Sequence, residues 1–208
     1  MPNAALLLEC CSASQTWPES ALAATARALN SASSAGTVDD DMGISDYLRD
    51  LRRKVGSDLL LMPAVTAMVF DEHDRVLLVK HSNRGIWVAP GGAIDPGEKP
   101  ADAVVRETWE ETGLHVEPVR ITGVYGGHRV QYGNGDEVEY FMTVFECRRL
   151  SGTLRPDGEE TLDVKFFDDF ALASPEIAPW VGGIVRDALQ RNDSAVFEAP
   201  TWAPPSTR

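Results

Sequence analysis

The sequence predicts a mixed α/β fold in which helices cover a mixed β-sheet. Segments of strand character outnumber the helical segments, and the helices occur both within and after the run of strands. Because a sheet and a helix each bury an apolar face, this order is typical of a layered domain. With 208 residues, 43% of them apolar, the chain can form one domain of about 150 residues with tails.

The two ends of the chain are predicted to lie outside the domain. Residues 1–41 are rich in Ala, Ser and Thr and are expected to form a disordered N-terminal extension. Met42 directly precedes the first patterned segment, so one interpretation is that translation starts there. A single domain is predicted for residues 42–192, and residues 193–208, with three prolines, are expected to form a disordered tail.

The elements of the domain follow from its apolar pattern. A leading helix is predicted at residues 44–55, since Ser45 can cap its start and Gly56 follows its end. PAVTAMVF and RVLLVK, joined by the polar turn DEHD, predict a hairpin. The remaining predictions are a short strand IWVAP, a helix at residues 100–112, strands within 116–132, 137–149 and 162–168, an Asn-Gly hairpin turn in YGNGDE, and a closing helix at 175–191.

The charge of the chain disfavours two classes of partner. The formal net charge is -13 and the pI is about 4.7, so phosphate backbones and anionic lipid surfaces are repelled. No apolar run is long enough to span a bilayer, and the N-terminal apolar patch has no preceding positive charge. We therefore expect a cytoplasmic protein that binds neither nucleic acid nor a membrane.

Carboxylates are concentrated in residues 91–114, GGAIDPGEKPADAVVRETWEETGL, which contain six of them. On the predicted helix, Glu107, Glu110 and Glu111 occupy one arc of roughly 100°. An ordinary solvated acidic face would include lysines, yet only Arg106 is nearby. The three acids also lie mostly in the second half of the helix, where they oppose its dipole. The crowding therefore calls for a counter-charge.

A divalent cation would supply that counter-charge. Mg²⁺ prefers oxygen ligands and typically shares its coordination shell with substrate phosphates. The glycines of Pro90-Gly91-Gly92 allow backbone carbonyl oxygens to approach a ligand closely. Neither His nor Cys lies within the acidic stretch, which argues against zinc. A separate arc of the helix, roughly 140° wide, is expected to pack on the sheet and holds Val104, Val105, Thr108 and Trp109.

The spacing of these residues resembles the Nudix box. The match consists of Gly92, Glu98, Arg106-Glu107, Glu110-Glu111 and Gly113-Leu114, all at the spacing of that motif. Thr108 departs from the bulky aliphatic residue usual at its position. The resemblance covers roughly residues 60–190 and implies an α/β/α sandwich with a mixed β-sheet, in which the box forms a loop-helix-loop.

The resemblance also implies a reaction and roles for particular residues. It implies that water attacks the pyrophosphate of a nucleoside diphosphate linked to another group, with Mg²⁺ or Mn²⁺ bound. Arg106 would hold a carboxylate in position, and Glu98 would fix the loop or a metal-bound water. The general base would be a glutamate of the box helix or of the loop RPDGEET, where Glu160 is the candidate beside Glu159. The implied metal-site residues are Gly92 (or Gly91), Glu98, Glu107, Glu110 and Glu111.

Substrate and assembly are less constrained by the resemblance. ADP-ribose or a related nucleotide sugar is the first expectation, and a dinucleoside polyphosphate is the alternative. Trp87 could stack on a base or cover a sheet edge, and Tyr132 lies near a tyrosine that marks dinucleoside polyphosphate hydrolases. A nucleotide sensor without turnover is a second class. A prenyl diphosphate isomerase is a third, for which Cys147 is a poor catalytic candidate. Pairing of two chains into a homodimer is left open.

Overall fold

The structure, a computed structural model, describes residues 45–82 and 85–204. The disorder expected for residues 1–41 therefore lies outside the described residues, as does the end of the tail at 205–208. None of the helices within the described ranges is long and apolar enough to cross a bilayer.

Three helices and seven strands make up the described part of the chain. The helices are α1 (Asp46–Val55), α2 (Pro100–Thr112) and α3 (Val181–Leu189), and a short 3-10 helix, Asp169–Ala173, precedes α3. The strands are β1 (Leu60–Val69), β2 (Val76–His81), β3 (Trp87–Val88), β4 (Leu114–Gln131), β5 (Glu137–Gly152), β6 (Thr161–Phe167) and β7 (Val196–Phe197).

The strands form two sheets. The larger has the order β1-β5-β4-β7, and the smaller has the order β3-β2-β6. In the larger sheet β1 runs parallel to β5, β5 runs antiparallel to β4, and β4 runs parallel to β7. The smaller sheet is entirely antiparallel. The prediction of a mixed sheet is therefore confirmed.

The predicted hairpin between the first two strands is wrong in its pairing. The polar turn does form, since Asp71 N donates to the carbonyl oxygen of Arg75 (3.1 Å), but only the bridge between Phe70 and Val76 joins the strands there. β1 instead pairs with β5 along its whole length, and β2 pairs with β6. Local turn chemistry thus gave the chain reversal, while long-range pairing decided which sheet each strand joins.

The strands lie between α2 and α3. Neighbouring residues of β2 point to opposite faces, and both faces are buried: Leu77 packs in one apolar cluster with Val104 of α2, and Leu78 packs in a second cluster with Ile184 of α3. Cys147 is 3% exposed in the α2 cluster. The molecule therefore has the expected three layers, helix, strands and helix.

The closing helix is shorter than predicted. It starts at Val181, because the preceding residues hydrogen-bond to the edge of β3 instead of continuing the helix. Trp87 N donates to the carbonyl oxygen of Glu176 (2.7 Å), and Ala178 N donates to that of Trp87 (2.9 Å). Ile184 is buried, while Trp180 and Leu189 are half-buried against the same cluster.

Both ends of the domain are attached to the central strands. Ser45 caps α1 by accepting a hydrogen bond from Leu48 N, and Arg52 of α1 donates to the carbonyl oxygen of Glu137 at the start of β5 (2.8 Å). The tail differs from the expectation of disorder at β7, which pairs with Gly123 and Val124 of β4. A two-residue strand carries too little pattern to be detected from sequence.

Candidate active site

The glycine loop and α2 face each other across a short gap. The loop lies along β1, because Val65 N donates to the carbonyl oxygen of Gly92 (2.9 Å) and Ala67 N donates to that of Pro90 (2.8 Å). Between these two bonds, Gly91 N points the other way and donates to Glu111 Oε2 (2.9 Å). The backbone of the loop is therefore shared between the sheet and the box helix.

The two glycines lie in close contact with neighbouring groups, backbone atoms at Gly91 and the Glu107 carboxylate at Gly92. A Cβ on Gly92 would lie 2.5 Å from Glu107 Oε1, and a Cβ on Gly91 would lie 2.8 Å from the Cα atom of Thr66. Gly91 also has φ +154°, which side-chain-bearing residues rarely adopt. Gly92, or its neighbour Gly91, is the carbonyl donor that the resemblance implies for a metal. The Gly92 carbonyl oxygen accepts a hydrogen bond from Val65 N of β1.

The buried face of α2 differs from the predicted one. Trp109, predicted to pack on the sheet, is 45% exposed and lies beside the Arg155 guanidinium, whose carbon is 5.7 Å from the ring centroid. Glu111, predicted to lie on a separate acidic face, is 3% exposed. The buried residues of the helix are Ala103, Val104, Thr108, Glu111 and Thr112. The acidic arc therefore overlaps the buried arc, and two of its carboxylates are drawn out of solvent.

Burial changes the protonation of these carboxylates. Burial is the main cause that raises the pKa of Glu107 to about 7, against the opposing effect of Arg106. The pKa of Glu111 is raised well above 4.5, first by burial and then by the charge of Glu107. Glu110 differs, since 54% of its side chain is exposed. A bound cation would favour the charged forms of Glu107 and Glu111.

Arg106 is the centre of the ion pairs in the box. Its guanidinium donates to both carboxylate oxygens of Glu98 (2.8 and 2.9 Å), to Glu107 Oε1 (2.9 Å) and to Glu110 Oε2 (3.0 Å). Glu98 also accepts from Asp95 N (3.2 Å), and these bonds lower its pKa. Glu98 was expected to fix the loop or a metal-bound water. Both of its carboxylate oxygens accept hydrogen bonds within the box.

The loop before β6 lies near the box, as the resemblance implied for Glu160. The charge of Glu160 contributes to the raised pKa values of Glu107 and Glu111. The pKa of Glu160 is itself raised, first by burial and then by the charge of Asp157. The loop is attached to the helix, since Thr161 Oγ1 donates to the carbonyl oxygen of Glu111 (3.1 Å). Glu160 therefore adds a further acidic side chain to the carboxylates grouped around Arg106.

His81 is a residue that the sequence analysis missed. It ends β2, and its Nε2 lies 3.8 Å from Glu111 Oε1. It follows directly after an apolar strand, which is the available sequence signal, but nothing local indicates that this strand ends beside α2. The acidic stretch itself contains no histidine, so the fold adds one imidazole to an otherwise oxygen-rich set of donors.

The two predicted substrate-contacting aromatics lie in different surroundings. Trp87 is 2% exposed, with the Phe167 ring centroid 4.7 Å from its own and Lys165 Nζ 4.2 Å from it. This contradicts the expectation that Trp87 stacks on a substrate base, because its faces are covered. Tyr132 lies in the turn between β4 and β5, and its hydroxyl is 2.5 Å from that of Tyr140.

The residues of the box fit a divalent cation in donor type. Carboxylate and carbonyl oxygens are the ligands of a hard cation, and the gap at Gly92 is too narrow for a Cβ. Among the described residues, however, three donor atoms within 4.8 Å of one another occur only in Asp71, Glu72 and His73, in the turn before β2. Both oxygens of Asp71 are engaged by Arg75, and this turn is distant in sequence from the box.

The fold and this site together define a class of protein, an α/β/α sandwich with a carboxylate-bearing loop-helix-loop. The NUDIX domain family matches residues 60–187, which is more than half of the chain. The chain belongs to the Nudix family.

Individual proteins agree with this assignment. The chain is 34% identical over 98 residues to a MutT-like protein of Streptomyces ambofaciens, covering 47% of this chain and 58% of that protein. It is 30% identical over 142 residues to the uncharacterized Nudix hydrolase YvcI of Bacillus subtilis, covering 67% and 87%. It is 32% identical over 125 residues to the ADP-ribose pyrophosphatase of Methanocaldococcus jannaschii, covering 58% and 69%.

A solved structure shows the same fold. The MutT protein of Methanosarcina mazei Go1 superposes with a TM-score of 0.54 at 21% identity, covering 66% of this chain and 99% of that one. At this identity the likeness concerns the fold alone. The described α1 precedes the matched NUDIX region, which begins with β1.

Proposed function

We propose that this protein is a Mg²⁺- or Mn²⁺-dependent pyrophosphohydrolase that cleaves a nucleoside diphosphate linked to another group. ADP-ribose or a related nucleotide sugar is the first candidate substrate, and the similarity to an ADP-ribose pyrophosphatase supports that choice. The observation that carries the proposal is the pair of carboxylates, buried Glu111 and half-buried Glu107, that face the Gly91-Gly92 backbone. A cytoplasmic location accords with a small nucleotide substrate.

The metal requirement follows from charge. A pyrophosphate is anionic, and the site already holds Glu107, Glu110, Glu111 and Glu160 against Arg106. A bound divalent cation would offset both sets of charges and polarise the phosphoryl oxygens and the attacking water. Glu107, Glu110 and Glu111, with the Gly91 carbonyl, would hold it.

The remaining residues position these groups and move the proton. Arg106 holds Glu107 and Glu110 at the face of α2, and Glu98 holds Arg106 through two parallel hydrogen bonds. Glu160 would accept the proton of the attacking water at its carboxylate. Its raised pKa brings it closer to neutral pH, which favours proton transfer in both directions of a catalytic cycle.

The proposal is tested by a substrate panel. Purified protein would be incubated with Mg²⁺ or Mn²⁺ and ADP-ribose, diadenosine polyphosphates, NADH, nucleotide sugars or nucleoside triphosphates, and the products separated by chromatography. We expect metal-dependent release of a nucleoside monophosphate from one class, lowered at least 100-fold in Glu111→Gln. The matched control is Glu72→Gln, because Glu72 is exposed in the turn before β2.

Each result of the panel has a definite meaning. Cleavage of diadenosine polyphosphates in preference to ADP-ribose would replace the first candidate substrate with the alternative. Ligand binding without turnover of any compound would instead assign a sensing role. Turnover that persists unchanged in Glu111→Gln would show that the reaction does not depend on the box carboxylates as proposed.

A further inference from the structure

One face of the larger sheet carries a continuous row of side chains from the glycine loop to β4. Ala93, which follows the loop, is bridged to Ala64 of β1, and Ala64 is paired with Met142 of β5. Tyr140 lies two residues from Met142 and is paired with His128 of β4. Paired residues, and residues two apart on one strand, point to the same face, so these side chains are neighbours.

This row changes from buried to half-buried along its length. Ala64 is 5% exposed and Met142 is 7% exposed, whereas Tyr140 and His128 are half-buried. The apolar interior between the sheet and α3 therefore ends at two rings that reach solvent. The aromatic surface, as we name it, consists of Tyr140, His128 and the ring of Trp180, which lies edge-on to His128 with 5.7 Å between ring centroids.

The aromatic surface is connected to the box through the backbone. Trp180 is two residues from Ala178, which is hydrogen-bonded to Trp87 of β3. β3 leads directly into the glycine loop, and Gly91 N is bonded to Glu111. One short path of backbone therefore fixes both the carboxylates and Trp180.

The distance and the chemistry of this surface suit a nucleoside. From strand spacing and rise per residue, Ala64 and His128 lie roughly 12 Å apart. The side chains between them, Met142 and Tyr140, carry no formal charge, unlike the acidic box. Flat, uncharged bases stack on aromatic side chains, while the diphosphate needs the cation-binding end.

We infer that the aromatic surface formed by Tyr140, His128 and Trp180 binds the base of the nucleotide whose diphosphate occupies the box. This inference rests on the proposed function and adds the position of base recognition. The hydroxyl of Tyr132, 2.5 Å from that of Tyr140, positions the Tyr140 ring. Tyr132 thereby contributes to base binding by positioning Tyr140, without contacting the base itself.

The test compares ligands with and without a base. Binding of AMP, GMP, CMP and UMP would be measured by calorimetry in Mg²⁺ beside ribose 5-phosphate, which keeps the sugar and phosphate. We expect at least one nucleotide to bind about tenfold more tightly than ribose 5-phosphate. In His128→Ala that advantage falls to less than about threefold, whereas His73→Ala, in the exposed turn before β2, keeps it.

Tryptophan fluorescence supplies a second readout of base binding, which uses a variant different from His128→Ala. The preferred nucleotide should quench the wild-type emission, and the quench should be lost in Trp180→Phe, which keeps an apolar ring in place. Trp202→Phe is the control, since Trp202 is 76% exposed in the tail.

Failure of the inference is distinguishable from failure of the proposed function. Equal affinities for all nucleotides and ribose 5-phosphate, or an undiminished base advantage in His128→Ala with quenching kept in Trp180→Phe, would overturn the aromatic surface as the base site. Metal-dependent hydrolysis abolished in Glu111→Gln would stand in either case. Absence of turnover, with the base still increasing affinity, would reject the proposed hydrolase activity and leave the base site standing.

Discussion

Glu107 and Glu111, one helical turn apart, are held by different partners. Glu111 is bonded to a backbone N–H of the glycine loop, while Glu107 is paired with Arg106. Neither partner compensates fully for burial, because the pKa of each carboxyl is raised. The charged carboxylates are therefore unfavourable in the folded protein unless a cation is bound. This effect should be visible in the pH dependence of stability.

Without metal, the protein should lose stability as the pH rises from 5 to 8. The pKa of Glu107 is about 7 in the folded chain and 4.5 ordinarily, so the folded state binds more protons over this range and its stability falls with pH. This shift corresponds to about 3 kcal/mol at most, and Glu111 acts in the same direction. Urea unfolding in EDTA at each pH measures it.

Mg²⁺ and Glu107→Gln provide the comparisons for that series. Added Mg²⁺ should stabilise more at pH 8 than at pH 5, because binding requires the deprotonated carboxylates. Glu107→Gln should flatten the slope without metal. A stability that stays constant or rises between pH 5 and pH 8 in EDTA would contradict the raised pKa values.

The general base can be located by single substitutions. Glu160→Gln should lower kcat by about 100-fold or more while Mg²⁺ affinity changes little, because a base acts on the water and not on cation binding. Glu159→Gln is the control, since that side chain is exposed next to Glu160. If Glu110→Gln abolishes turnover and Glu160→Gln leaves it intact, the base belongs to α2.

At the scale of elements, the glycine loop is the part that joins the sheet to the box helix. It satisfies two N–H groups of β1 with the carbonyl oxygens of Pro90 and Gly92, and it satisfies Glu111 with the N–H of Gly91. A change in this loop should therefore affect both folding and the carboxylates.

Gly91→Ala tests this dual role. The added Cβ would collide with the carbonyl oxygen of Val65 and approach the Cα atom of Thr66, and both are backbone atoms that cannot move away cheaply. We expect a loss of about 3 kcal/mol together with weakened Mg²⁺ binding. Gly97→Ala, also at positive φ but with open space around it, should cost only about 1 kcal/mol and leave Mg²⁺ binding unchanged.

Thermal unfolding and metal titration of these two variants decide the matter. Equal losses of stability in Gly91→Ala and Gly97→Ala would show that the positive φ angle accounts for the destabilisation. Close packing around Gly91 would then contribute nothing to it. Unchanged Mg²⁺ affinity in a folded Gly91→Ala protein would detach the loop from the metal site.

At the scale of the whole molecule, the C-terminal residues add an edge to the larger sheet. Val196 and Phe197 pair with β4, and Arg120 donates to the carbonyl oxygen of Asn192 (3.0 Å). This edge lies away from the box, which faces β1 and β2 through Gly91 and His81. The tail should therefore support stability more than activity.

A chain of residues 42–192 should fold and keep its metal-dependent activity. Compared with residues 42–204, we expect its melting temperature to fall by a few degrees, because one two-residue strand pair is lost. Scanning calorimetry and the hydrolysis assay measure both properties. Loss of folding, or a large loss of turnover in a folded chain, would show that the tail contributes to the domain core or to the site.

The sequence by itself determined the box, because its chemistry is local. The spacing from Gly92 to Leu114 fixes a helix between Pro100 and Gly113 and puts its acids within one turn of each other. The mixed sheet and three-layer fold also followed, from the order of elements and the family resemblance. The helix and the grouping of its acids depend on residues close together in the chain.

Only the tertiary structure decided which face of α2 is buried and which residues contact that face. Helical periodicity gives relative angles, and hydrophobicity alone put Trp109 inside and Glu111 outside, the reverse of what the fold does. The burial of Trp87, the position of His81 beside Glu111 and the pairing of β1 with β5 depend on contacts between distant segments. Such contacts are set by the packing of the whole chain, which no local pattern specifies.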